Sequence, residues 1–152
     1  MTPRKIRAQV VLEKVAWIHK MLDSMGKLPG ESFEDFSADF RNQAAMESYL
    51  RRALEALLDV GRHVLAKGFG EGVVEYKKIA EALGRRGVLS SQRCAILIDM
   101  AGYRNRLTHF YDEVTPKELY RILTTETSDI ESVVDEILQW LRSNPEMIDT
   151  SL

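Results

Sequence analysis

One cysteine in 152 residues, Cys94, excludes a disulfide framework within the monomer; it sits in a helical apolar run and is expected to pack there as a small hydrophobe. No stretch reaches the roughly 18 apolar residues of a membrane span, and residues 1–7 lack the apolar core of a secretion signal, about 7 to 15 residues long. The expectation is a cytoplasmic protein. Three histidines lie far apart, none in a Glu-x2-His or His-x3-His pattern, so neither a metal site nor any other cofactor is expected. A serine-nucleophile elbow is missing. The glycines at 68, 70 and 72 do not have phosphate-loop spacing, and no alternating strands surround them. Net basic charge is missing too, with 21 basic against 23 acidic residues. That balance argues against a protein that coats nucleic acid nonspecifically, but it leaves room for a local basic cleft.

What is present is helical periodicity. Over residues 4–24, Val11, Val15, Ile18, Leu22 and Met25 recur at spacings of three and four, with Ile6, Val10, Trp17 and Met21 widening the stripe. Residues 26–30 stop this helix with glycine and proline. Ser32 is placed to cap a helical turn over residues 32–36. A long helix then follows over residues 38–66, with a seam of Met46, Leu50, Ala53, Leu57, Val60 or Gly61, and Val64. Residues 67–73 read as a loop. A short helix over 75–83, ended by residues 84–87, turns Tyr76, Ile79, Ala80 and Leu83 inward. The next helix, about 91–110, is capped by Ser90 or Ser91. Thr115-Pro116-Lys117-Glu118 opens another, with a capping threonine and proline at the first helical position. This one loosens over 124–128 and resumes to residues 144–145. The pattern predicts an all-α antiparallel four-helix bundle with one or two additional short helices, as a single domain over 1–145 and a frayed tail over 146–152.

At about 100° per residue, Arg104, Asn105 and Thr108 fall within the apolar arc of Cys94, Ile96, Leu97, Ile98, Met100 and Ala101. They are expected to face inward, and Arg106 to be solvated beside Asp99. Burying an arginine costs several kcal/mol unless carboxylate, phosphate or carbonyl partners meet it. Arg104 is therefore either bridged within the protein or open to an anion. His109 lies about 40° from Asn105 but about 140° from Arg104, so arginine and histidine converge only if the side chain swings, the helix distorts or two subunits share a cleft.

Arg104, His109 and Tyr111 resemble the Arg-x4-His-x-Tyr signature of the HepT toxins, members of the HEPN superfamily that pair with MNT antitoxins. Residues 100–111 and 49–64 are both similar to HepT sequences, in the expected order, and the resemblance covers most of the chain. It implies a helical bundle, a homodimer whose motif regions border one cleft, and a metal-independent endoribonuclease in a type VII-like toxin–antitoxin pair. It also implies that the tyrosine, here Tyr111, receives AMP from an MNT-type nucleotidyltransferase antitoxin.

The residues suit that chemistry. Histidine exchanges protons near neutral pH, and arginine offers phosphate a charged fork, so His109 would move a proton while Arg104 holds the phosphate during cleavage of RNA by its own 2′-hydroxyl. Asn105 is a candidate to orient the imidazole or bind a phosphate oxygen; the alternative is an ordinary buried amide. Tyr111 projects to the side of Arg104 if the helix continues, and AMP attached there would neutralise the arginine and obstruct substrate. Phe110 and Tyr103 are read as packing residues. Arg85 and Arg86 are candidate phosphate contacts, although a solvated charged turn is the blander reading. Asp59 and His63, one turn apart, read as a local pair that the RNA cleft could also use. Two rivals stand beside the nuclease: a non-catalytic HEPN-like module that binds a nucleotidyltransferase or nucleotide, and a structural dimer bridged by Arg104.

Overall fold

The computed structural model describes residues 5–150. Its elements are a two-residue strand β1 (Ile6–Arg7), α1 (Ala8–Gly26), α2 (Phe33–Ser37), α3 (Phe40–Phe69), α4 (Tyr76–Arg85), α5 (Ser91–His109), α6 (Pro116–Thr125), α7 (Thr127–Ser143) and a second short strand β2 (Ile148–Asp149). Single turns of 3-10 helix cover Tyr111–Glu113 and Pro145–Met147. The four long helical layers are α1, α3, α5 and the pair α6 and α7, which interrupt each other at Glu126 inside the expected loosening.

Side-chain capping sets most of the boundaries. Ser32, Asp39, Ser90 and Thr115 each accept a hydrogen bond from a backbone N–H of the helix they precede, satisfying donors that no intrahelical carbonyl reaches. Pro116 occupies the first turn of α6, where its missing N–H is harmless. α3 runs three residues past the expected end and stops at Gly70, whose φ of 64° suits a left-handed cap.

α3 is the spine. Met46, Leu50, Ala53, Leu54, Leu57, Leu58, Val60, Val64 and Leu65 are all buried along it. Each large apolar side chain so buried contributes roughly 1.5–3 kcal/mol. α1 lies antiparallel against α3, since Arg7 meets His63 while Lys14 meets Asp59. α4 and α5 form an antiparallel hairpin: Cys94 Sγ donates to the Ala80 carbonyl at one end, and Arg104 faces Tyr76 at the other. Gly84 lies within α4 rather than stopping it, and its missing side chain makes room for Cys94, whose Sγ would stand 2.7 Å from a Cβ there. The stop is Gly87, at φ 76°.

Two expectations about the chain ends differ from what is found. Ile6 does not extend the stripe of α1; it lies in β1, pairs in parallel register with Ile148 and is fully buried against Gly68. The tail expected to fray from residue 146 therefore returns to the body as a 3-10 turn and β2, held by backbone hydrogen bonds. A two-residue pairing leaves no alternating pattern to read. Residues 1–4, including the expected helix start at Arg4, and residues 151–152 of the tail lie outside the described residues.

Candidate functional site

α5 carries the motif. Ser90 fixes its start, with Oγ accepting from Arg93 N–H at 3.3 Å, and Glu136 of α7 holds Ser90 in turn through Oε2 at 3.2 Å. Leu97, Met100, Ala101 and Leu107 bury one side of the helix. Arg104, Asn105 and Thr108 are partly buried, as the angular reading expects, and the Thr108 hydroxyl is enclosed without a hydrogen-bond partner among the described residues.

Arg104 is the most enclosed arginine of the ion pairs, with 16% of its side chain exposed. Its Nη2 lies 3.3 Å from Glu55 Oε1, and its guanidinium carbon stands 4.5 Å from the centre of the Tyr76 ring, a cation–π distance. Nε is buried with no hydrogen-bond partner among the described residues. Glu55 also faces Arg51 Nη1 at 3.6 Å, so one carboxylate is divided between two guanidiniums. Both contacts exceed the about 2.7–2.9 Å of a strong charge-assisted hydrogen bond. The arginine is thus held in place but left electrostatically unsatisfied, and an incoming phosphate oxygen would relieve it.

α5 ends at His109, because Phe110 turns to φ −133°, ψ 41°. His109 is exposed. The premise that Tyr111 continues the helix beside Arg104 fails here: Tyr111 sits in the following 3-10 turn, 65% exposed, and Phe110, read as a packing residue, is 54% exposed. Tyr103 does pack against the core, with its hydroxyl accepting from Arg121 at 2.9 Å.

Arg106 was expected to be solvated; instead it forks onto Glu118, with Nη2 to Oε2 at 2.9 Å, and donates to the Glu113 carbonyl at 3.3 Å. The Glu118 carboxylate raises the guanidinium's pKa above its ordinary value. This pair ties the turn bearing Tyr111 to the first turn of α6. The angular reading missed it because the partner arrives from beyond the helix end.

The remaining candidates separate. Asp59 does not pair with His63; it lies 3.2 Å from Arg62 and 3.7 Å from Lys14. His63 Nε2 accepts the Arg7 backbone N–H at 3.0 Å, and burial, together with Lys67, Arg7 and Lys14, pushes its pKa below the usual histidine value. Asp59 still connects to the Arg104 region, since its partner Arg62 stands 5.5 Å from the centre of the Tyr76 ring; His63 shows no such link among the described residues. Arg85 and Arg86 do not join. They hold Glu71, Arg86 Nε at 2.9 Å from Oε1, in the hairpin turn near the start of α5. Arg104 lies about 20 Å further along that helix. Glu55 and Tyr76 are the residues missed as parts of the site; the Arg51/Glu55 spacing on α3 was legible, but their convergence on α5 was not.

Among the described residues, no group of three or more His, Cys, Asp and Glu could hold a metal ion, and no helix is long and apolar enough to cross a membrane.

The described residues form a mostly helical bundle in which an enclosed arginine stands five positions before an exposed histidine at a helix end. The family model described as "Ribonuclease HepT-like" matches residues 12–137, and the chain belongs to that ribonuclease family. It is 25% identical over 120 residues to the tRNA nuclease HepT of Aphanizomenon flos-aquae, covering 78% of this chain and 81% of that one. Its fold matches a tri-AMPylated HEPN toxin of Shewanella oneidensis in complex with MNT antitoxin, with TM-score 0.78, 21% identity, and 86% and 97% of the two chains covered. It also matches the cytosolic protein of unknown function YutE of Bacillus subtilis, with TM-score 0.77, 17% identity, and 97% and 98% covered.

Proposed function

We propose that this HepT-like ribonuclease is the toxin of a toxin–antitoxin pair and cleaves RNA, with tRNA as the substrate class, by metal-independent transfer to the 2′-hydroxyl. The observation that carries this reading is the half-satisfied Arg104 guanidinium, sharing Glu55 with Arg51 and lying one helical turn and a half from exposed His109. The 2′-oxygen attacks phosphorus and loses its proton as the bond to the 5′-oxygen breaks and that oxygen gains one; His109 moves a proton in this exchange. Charge builds on the nonbridging oxygens, and Arg104 meets it in a poorly hydrated setting where an ionic contact is worth more than in water. Asn105 orients the imidazole or holds a phosphate oxygen. Two copies of the chain form the working unit, their motif regions bordering one cleft.

Tyr111 is the control point. Its exposure and its fixed turn, tied down by Arg106 and Glu118, suit attack of its hydroxyl oxygen on the α-phosphorus of ATP within an MNT-type nucleotidyltransferase partner. Pyrophosphate leaves, the phenolic proton is released, and the attached AMP brings negative charge to the neighbourhood of the motif.

The test is cleavage of total tRNA by purified protein in excess chelator. Wild type should cut, and His109→Ala should lose at least about a hundredfold in rate, as general acid–base groups do. Folded wild type that cuts no RNA, yet binds the nucleotidyltransferase, would return the chain to the non-catalytic module.

A further inference from the structure

The chain is net acidic, at −2, yet one surface carries an excess of cations. Arg51 and Arg104 share Glu55; Arg62 and Lys14 share Asp59. The Tyr76 ring joins the two groups, with Arg104 and Arg62 at 4.5 and 5.5 Å from its centre. One turn beyond Asp59 on the same ridge of α3 comes His63, and one turn beyond that Lys67. Four cations thus share two carboxylates, and Lys67 extends the line, along the stretch of α3 from Arg51 to Lys67, about 24 Å long at about 1.5 Å per residue. The side chains of Arg51, Arg62 and Lys14 are each more than a third exposed. Each carboxylate here serves two cations, so it spaces and orients them without cancelling them.

We propose that this ridge is a phosphate track, along which Arg62, Lys14 and Lys67 hold the backbone of single-stranded RNA whose scissile phosphate lies at Arg104. The proposal rests on the nuclease reading for where the track leads, but not for whether it binds. RNA fits better than an acidic protein face because the charges form a narrow line, a few phosphates long, that is continuous with Arg104. Asp59 and His63 are then not phosphate contacts themselves: Asp59 sets the pitch between Arg62 and Lys14, and His63, neutral and engaged with the Arg7 N–H, anchors the end of the ridge.

Binding of fluorescein-labelled oligouridine to the full-length His109→Ala protein, followed by anisotropy across a salt series, separates the track from catalysis. Lys14→Gln/Lys67→Gln should weaken binding by about tenfold at low salt. It should also make the plot of log affinity against log salt shallower by about 1.4, two phosphate contacts at about 0.7 each for a single strand. Lys20→Gln/Lys27→Gln, an equal change of charge elsewhere on α1 and its end, should leave the slope unaltered. Equal effects from both pairs would mean that net charge alone matters and would overturn the track. So would an unchanged slope for Lys14→Gln/Lys67→Gln, and an unchanged slope with lost co-elution of a co-expressed nucleotidyltransferase would assign the ridge to that protein. If the slope falls as expected while wild type cuts no RNA, the track stands and the nuclease reading fails.

Discussion

Two places in this molecule set a pair of arginines against one glutamate. At the hairpin turn, Arg85 and Arg86 grip Glu71 with hydrogen-bonding geometry, and both arginines are well exposed, Arg85 at 59%. Against α3, Arg51 and Arg104 approach Glu55 only to 3.6 and 3.3 Å, and Arg104 is enclosed with Nε unpartnered. The count of charges is the same in both. Hydrogen bonds hold the first cluster in an open setting, while the second keeps a guanidinium whose Nε has no partner among the described residues in a place that water reaches poorly, where Coulomb attraction to an anion is strongest. Enclosure, not the number of arginines, distinguishes a candidate anion site from a solvated turn.

The sharpest way to break this contrast is by activity. Arg104→Ala should reduce the rate of tRNA cleavage by about a hundredfold to a thousandfold, the usual cost of removing a group that meets transition-state charge. Arg85→Ala/Arg86→Ala should stay within about twofold, as surface substitutions away from a site do. Comparable losses in rate from the two variants, each confirmed as folded by circular dichroism, would erase the distinction.

Stability gives a smaller but independent measure. Glu55→Gln removes the carboxylate that Arg104 meets, so thermal unfolding should drop by about 1–2 kcal/mol, or roughly 2–8 °C for a domain of this size. Glu71→Gln should lower the melting temperature less, since both freed arginines are exposed to water. A Glu55→Gln protein as stable as wild type would mean that the Tyr76 ring and solvent already satisfy Arg104.

The reading of the sequence succeeded where structure is local. Capping serines and threonines, the apolar ridge of α3 and the inward turn of Arg104 follow from periodicity and from the needs of helix ends, and every one involves residues within a few positions of each other. It fell short wherever the partner lies far along the chain. Ile6 pairs with Ile148, Arg106 with Glu118 and Arg104 with Glu55, and nothing in the local pattern of either partner announces the other. Tyr111 failed for another reason: its place beside Arg104 required the helix to continue past the expected end near residue 110, whereas it stops at His109, although Phe110 has no helix-stopping signature of its own. The similarity to HepT sequences supplied the motif and its chemistry. It did not supply Glu55 or Tyr76, which give Arg104 its setting.

The smallest expected effect concerns pH, and it sets the α3 ridge against the hairpin turn once more. His63 has its pKa lowered in the folded protein, by burial first and then by Lys67, Arg7 and Lys14. The unfolded chain therefore binds the proton more readily, so the stabilising contribution of the neutral imidazole is fully present above about pH 6.5 and is lost as pH falls through the folded value. Protonation would also remove the Nε2 lone pair that accepts the Arg7 N–H beside the β1–β2 pairing. At the turn, Arg85 and Arg86 hold the Glu71 carboxyl below the usual carboxylate range, so that cluster stays ionised throughout the same window and contributes no slope. Melting temperature should accordingly decline from about pH 7.5 to about pH 5.5 in wild type. The decline should be flatter in His63→Gln, whose amide oxygen can still accept from Arg7, and equally steep in Glu71→Gln. A Glu71→Gln protein with the flatter profile would place the mild-acid sensitivity at the turn and leave the ridge without it.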